Sequence, residues 1–89
     1  MKVVILPTAD RRLRAIVHYA KMNLGMEAAE RLATRITGRM LELEQFPRGG
    51  SVEELMDHLP FEYRRLIEGY YKIIYRIKDD TVYITTQKT

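Results

Sequence analysis

The feature that most constrains this chain is a change of hydrophobic period at Pro60. Before it, apolar residues recur three and four positions apart; after it, they alternate every second position. A stretch with helical period cannot bury its apolar set as a strand, nor the reverse, so helices must be followed by sheet.

The first part opens with "KVVIL" at residues 2–6, short, β-branched and stopped by Pro7, which predicts a buried strand. Thr8, ahead of Ala9 and Asp10, is a candidate N-cap, with an acidic residue in the first turn where the helix dipole favours it. Leu13, Ile16, Val17 and Ala20 then predict a first helix over residues 9–22, closed at 23–25. A second pattern carries Ala29, Leu32, Ala33, Ile36, Met40, Leu43 and Phe46 on one side until Pro47 stops it. The short connection makes the two an antiparallel hairpin. Met22, Met26, Met40 and Met56 read as core and interhelix filler. "RGGS" is a loop by composition, and Ser51 with Glu54 reads as a capping box for one short turn.

After Pro60, residues 61–68, 70–77 and 81–86 read as three strands with two turns between them. The fold class expected is α+β: an N-terminal strand, an antiparallel two-helix hairpin and a three-stranded antiparallel meander, with the helices packed on one face of the sheet, in one domain spanning residues 1–89. The last strand is expected to leave an open sheet edge.

Strand parity sorts the side chains into two sets. Tyr71, Ile73, Tyr75 and Ile77, with Leu66, form the natural core set. Tyr70, Lys72, Ile74 and Arg76 fall on the other face, together with Tyr63, Arg65 and Ile67. Cations interleaved with aromatics on an open sheet suit RNA, where Lys and Arg meet phosphate and Tyr63 or Tyr70 stacks on a base beside Arg76. The competing reading is a solvated face whose charges pair across strands with Glu62 and Glu68. Arg31, Arg35 and Arg39 form a cationic stripe on the second helix, within reach of Glu27, Glu30 and Glu42 for ordinary pairing.

Composition removes several classes of function. The chain has no cysteine, hence no disulfide, thiolate nucleophile or cysteine-bound zinc, and its two histidines have no metal-ligand spacing. No phosphate-binding glycine loop, G-x-S-x-G or H-E-x-x-H occurs. Neither a metal nor a small-molecule cofactor is expected. The longest apolar run, residues 3–6, is far too short to span a bilayer. A cytoplasmic protein with no membrane partner is expected, and a net charge of +3 is compatible with an acidic partner.

With the elements in this order, "FPRGG", "RRL" and "YYKIIYRIKDDTVYI" resemble the RelE/ParE superfamily of toxins from type II toxin-antitoxin modules, also called plasmid stabilisation proteins. The resemblance implies a toxin neutralised by a co-expressed antitoxin that wraps it with a flexible segment. It leaves two targets open. ParE-like members poison DNA gyrase, whereas RelE-like members cut mRNA in the ribosomal A site. On the RelE-like reading, Arg65 and Lys72 match the family's basic positions and would hold the scissile phosphate. Family members usually continue into a segment bearing histidine or arginine, but here Ile84 is followed only by "TTQKT". A homologue shortened at its C-terminus is therefore expected, without a convincing acid-base pair. The long helical hairpin and the absent tail lean toward the ParE-like side; a non-toxic homologue that only binds antitoxin is a third reading.

Overall fold

The computed structural model describes residues 1–88. Its first strand, β1, is Lys2–Ile5. Pro7 occupies the first helical position, where its missing N–H costs nothing, so helix α1 spans Pro7–Leu24 and begins two residues earlier than expected. Thr8 thus lies inside the helix. Leu6 is the N-cap residue, and its carbonyl accepts from the Asp10 N–H at 2.9 Å. Gly25 adopts φ +94°, which side-chain-bearing residues rarely tolerate, and this lets the chain reverse directly into α2, Met26–Leu41.

Helix α2 ends sooner than its apolar pattern suggested and tightens into a 3-10 turn, Glu42–Glu44. Phe46, expected on the apolar stripe, is 65% exposed because the helix has already ended. Helix α2 buries Ala29, Leu32, Ile36 and Met40, whereas α1 fully buries only Ala9 and Ala20 and leaves Leu13, Ile16 and Val17 half-covered. The hairpin tip contributes nothing to the core. Met22 and Met26 are exposed rather than filling it, since the buried stretches stop at Ala20 and resume at Ala29.

The sheet has five strands, two more than the meander. After β1 come β2 (Ser51–Val52), β3 (Glu62–Glu68), β4 (Tyr71–Lys78) and β5 (Thr81–Lys88), arranged in the order β1-β5-β4-β3-β2. The meander β3-β4-β5 is antiparallel as expected, while β1 pairs in parallel with β5, Val3 opposite Val82 and Ile5 opposite Ile84. The last strand is therefore not an edge: β1 covers it. Leu66, Ile73, Tyr75, Ile77, Val82 and Ile84 share one core with the helices. Ile74 has the opposite parity, as expected, yet it is 2% exposed and lies outside that core. The second face of the sheet is thus not uniformly solvated.

The segment quoted as "FPRGG" runs against the sheet. The Gly50 N–H donates to the Tyr75 hydroxyl at 3.0 Å, and a Cβ on Gly50 would collide with the Arg65 carbonyl and stand 2.9 Å from that hydroxyl. Only glycine fits. Arg64 fastens the same loop by donating from Nη1 to the Gly50 carbonyl at 2.7 Å and from Nε to Glu62 at 2.6 Å. Glu62 also takes both ends of the Arg48 fork at 3.1 and 3.0 Å. Those guanidinium contacts, Arg64 first, hold the Glu62 carboxyl below its ordinary value, while burial pushes the Tyr75 hydroxyl up and keeps it neutral.

Two substitutions separate the space from the hydrogen bond. Gly50→Ala is expected to cost about 2–3 kcal/mol by overpacking, and Tyr75→Phe about 1–3 kcal/mol by stranding a buried N–H. Urea unfolding of both variants measures this. A Gly50→Ala protein as stable as its parent would mean that the loop stands off the sheet in solution.

Candidate functional site

The face of the sheet away from the main core is set by register. Its side chains come from Tyr63, Arg65 and Ile67 of β3, Lys72, Ile74, Arg76 and Lys78 of β4, Thr81 and Tyr83 of β5, and Lys2 and Val4 of β1. The strands divide it into two electrostatic halves.

In the first half the cations are neutralised from within. Glu53 directly follows β2, and its N–H pairs with the Tyr63 carbonyl at 2.9 Å, which extends the strand alternation by one residue and aims the side chain at this face. It is 3% exposed. Its carboxylate lies 2.7 Å from Lys72 Nζ and 3.9 Å from Arg65 Nη1, and Arg65 also donates to the Val52 carbonyl at 2.6 Å. Hydrogen bonding to Lys72, with the Leu55 N–H and the charges of Lys72 and Arg65, outweighs burial and holds the Glu53 carboxyl below its ordinary value. Glu53 also replaces the expected capping box. Ser51 belongs to β2, and it is the Glu53 side chain that accepts from Leu55 N at 3.4 Å to cap the short turn Glu54–Met56.

Glu62 and Glu68, the expected cross-strand partners, point to the helix side instead. Glu68 meets Arg35 at 3.4 Å and Arg39 at 3.6 Å; Arg39 also meets Glu42 at 2.8 Å, and Arg31 meets Glu27 at 3.8 Å. The cationic stripe on α2 is therefore a paired face that ties the helix to β3.

In the second half the cations are held by rings. The Arg76 guanidinium carbon lies 5.1 Å from the Phe61 ring centre and 5.4 Å from that of Tyr83, and Lys78 Nζ lies 5.4 Å from Phe61. Tyr63 stands opposite Arg76 in register. Tyr70 does not join them: 89% exposed, it sits at the β3-β4 turn beside Leu24, Arg31, Arg35 and Tyr71. Arg12, Ala15, Ile16, Tyr19 and Tyr71 line a further groove of about 530 Å³ between α1 and β4. Of the five residues singled out from sequence, the fold joins Arg65 to Lys72 through Glu53 and sets Tyr63 beside Arg76. It separates Tyr70 from both pairs.

Glu53, Phe61 and Tyr83 were missed. Glu53 shares the parity of Ser51 and Arg65, a signal readable only once the two-residue strand β2 is recognised. The described residues contain no cluster of metal-ligating side chains and no helix long and apolar enough to cross a membrane.

The sequence profile described as "ParE toxin of type II toxin-antitoxin system, parDE" matches residues 3–86. The chain belongs to the ParE toxin family. It is thus the toxin of a type II toxin-antitoxin system, as the RelE/ParE resemblance implied. Chains of known structure also match, among them one titled "Chromosomal ParDE TA system from P. aeruginosa", with a TM-score of 0.77 and 19% identity over 98% of this chain and 92% of that one. At that identity the likeness shows a shared fold. No curated protein matches in sequence. For a ParE-family chain, the neutralised pair Arg65 and Lys72 and the ring-held Arg76 are two differently equipped parts of one face.

The Glu53 pairing makes the stability of this ParE-family protein depend on pH. Its folded pKa is depressed, so its stabilisation is present above the unfolded carboxylate pKa and lost as pH falls through the folded value. Resistance to urea should therefore decline below about pH 5. Glu53→Gln should flatten that decline and cost about 1–2 kcal/mol at neutral pH; the cost is modest because the Lys72 and Arg65 side chains keep 29% and 33% of their surface in solvent. An unchanged pH profile in the variant would assign the decline to other carboxylates such as Glu62.

Proposed function

We propose that this ParE-family toxin acts by inhibiting DNA gyrase and is neutralised by a co-expressed antitoxin. The observation that carries the choice of target is the buried Glu53 carboxylate. A nuclease reading asks Arg65 and Lys72 to hold a scissile phosphate, and both already face an internal anion. Proton transfer to and from the reacting oxygens also needs positioned groups. His18 lies on α1 and His58 in the loop before β3, so neither belongs to the strands that carry this pair. The triad is then a staple that fixes the β2 end of the sheet. The groove beside Arg12, Ile16, Tyr19 and Tyr71 offers apolar anchorage next to a cation and suits an amphipathic, acidic antitoxin segment.

Tightly induced expression in a bacterium, with and without the neighbouring gene, tests this. Growth arrest that the antitoxin relieves, together with loss of gyrase supercoiling in the purified reaction, is the expected result. The combined Glu53→Gln, Arg65→Gln, Lys72→Met variant removes the acid and both bases at once, so no uncompensated charge is left in the sheet; it should arrest growth as the parent does. Discrete mRNA cuts on ribosomes, abolished in that variant, would overturn the gyrase reading. Antitoxin binding without arrest would point to a non-toxic relative.

A further inference from the structure

Most cations near the sheet are matched with carboxylates: Arg48 and Arg64 with Glu62, Arg35 and Arg39 with Glu68, Arg65 and Lys72 with Glu53. At the corner by the β4-β5 turn the pattern stops. Among the described residues Arg76 makes ring contacts only, and its buried Nε has no hydrogen-bond partner there. Lys78 lies over Phe61, and register carries the row from Lys78 through Thr81 to Lys2. Asp79 and Asp80 occupy the turn itself, yet among the described residues neither forms an ion pair with Arg76, Lys78 or Lys2.

Strand geometry sets the spacing. Residues two apart on a strand are separated by about 7 Å, and residues two strands apart by about 10 Å. Three cations thus occupy one corner, the guanidinium held flat by rings on either neighbouring strand segment. Asp79 and Asp80 offset part of this charge at longer range, yet the row of cations still presents spaced sites to an anion that carries several charges. Two kinds of nucleic acid could supply it. Single strands are gripped largely by stacking bases on free aromatic faces, but here Phe61 and Tyr83 are already engaged by Arg76, and Phe61 by Lys78 as well. What the corner offers is chiefly charge for phosphates; Tyr63, opposite Arg76 in register, adds a ring that is only partly exposed.

We propose that Arg76, Lys78 and Lys2 form a binding surface for the phosphate backbone of double-stranded DNA, without base-sequence preference. The surface goes beyond the proposed action on gyrase and is independent of it. DNA bound by the chain alone needs neither gyrase nor antitoxin, so either idea can fail without the other.

The test is fluorescence anisotropy of short labelled duplexes of differing sequence with the purified full chain across a salt series. Three phosphate contacts predict a slope of log affinity against log salt of about −2.7, at about −0.9 per phosphate neutralised. Lys78→Ala and Lys2→Ala should each weaken binding about 3- to 10-fold and reduce the slope by about one. Both side chains are exposed, so these variants should fold even if Arg76→Ala does not. Lys21→Ala, exposed at the end of α1, should change nothing. Binding that ignores salt, that survives the double Lys78→Ala, Lys2→Ala change, or that is tighter for a single strand of equal length than for the duplex would overturn the proposal.

Discussion

The hydrogen bond from the Gly50 N–H to the Tyr75 hydroxyl is the contact on which the arrangement of this molecule depends. Tyr75 stands in the middle strand of the sheet with no exposed surface, so its hydroxyl must find a partner inside the protein. The backbone of the loop after α2 supplies it, at a distance that leaves no room for a Cβ. Once Gly50 is placed there, the next residues are laid along β3 as β2, and Glu53 is delivered to the far face of the sheet. A tyrosine in a core and a carboxylate on an open face are thus linked through three residues of chain.

The same loop explains how a chain rich in arginine tolerates so much charge against its sheet. Arg48, Arg64 and Glu62 form a chain of short contacts on one face, and Glu53, Lys72 and Arg65 form another on the opposite face. Each carboxylate is enclosed by two cations, so its desolvation is offset by more than one partner. Among the described residues, positive charge without a carboxylate partner is left at the β4-β5 corner. For a ParE-family toxin this corner keeps charge that the protein does not neutralise from within.

The shared fold at 19% identity to the P. aeruginosa ParDE chain shows how little of the sequence the architecture needs. Hydrophobic pattern and approximate volume suffice to specify a core of this kind. Much of the remaining sequence is free to differ.

The α+β class, the helical hairpin and the meander were legible because each rests on local periodicity, and the parity of β3 and β4 placed Leu66, Ile73, Tyr75 and Ile77 in the core correctly. The helix boundaries were less so: Pro7 at the first helical position outranked Thr8 as the starting signal, and α2 stopped although apolar residues continued to Phe46. The parallel pairing of β1 with β5 was not legible, since two strands separated by nearly the whole chain carry no mark of their register. Nor was the fate of Arg65 and Lys72. Spacing put both on one face, which is a property of the strand alone. Whether they meet a ligand or an internal carboxylate depends on where Glu53 is carried by a loop that Tyr75 anchors. The sequence by itself determined which residues could form helix and strand and which sides they would show, because those follow from bonds between near neighbours. Only the tertiary structure decided which charges are spent inside the protein, because that is settled by contacts between residues far apart along the chain.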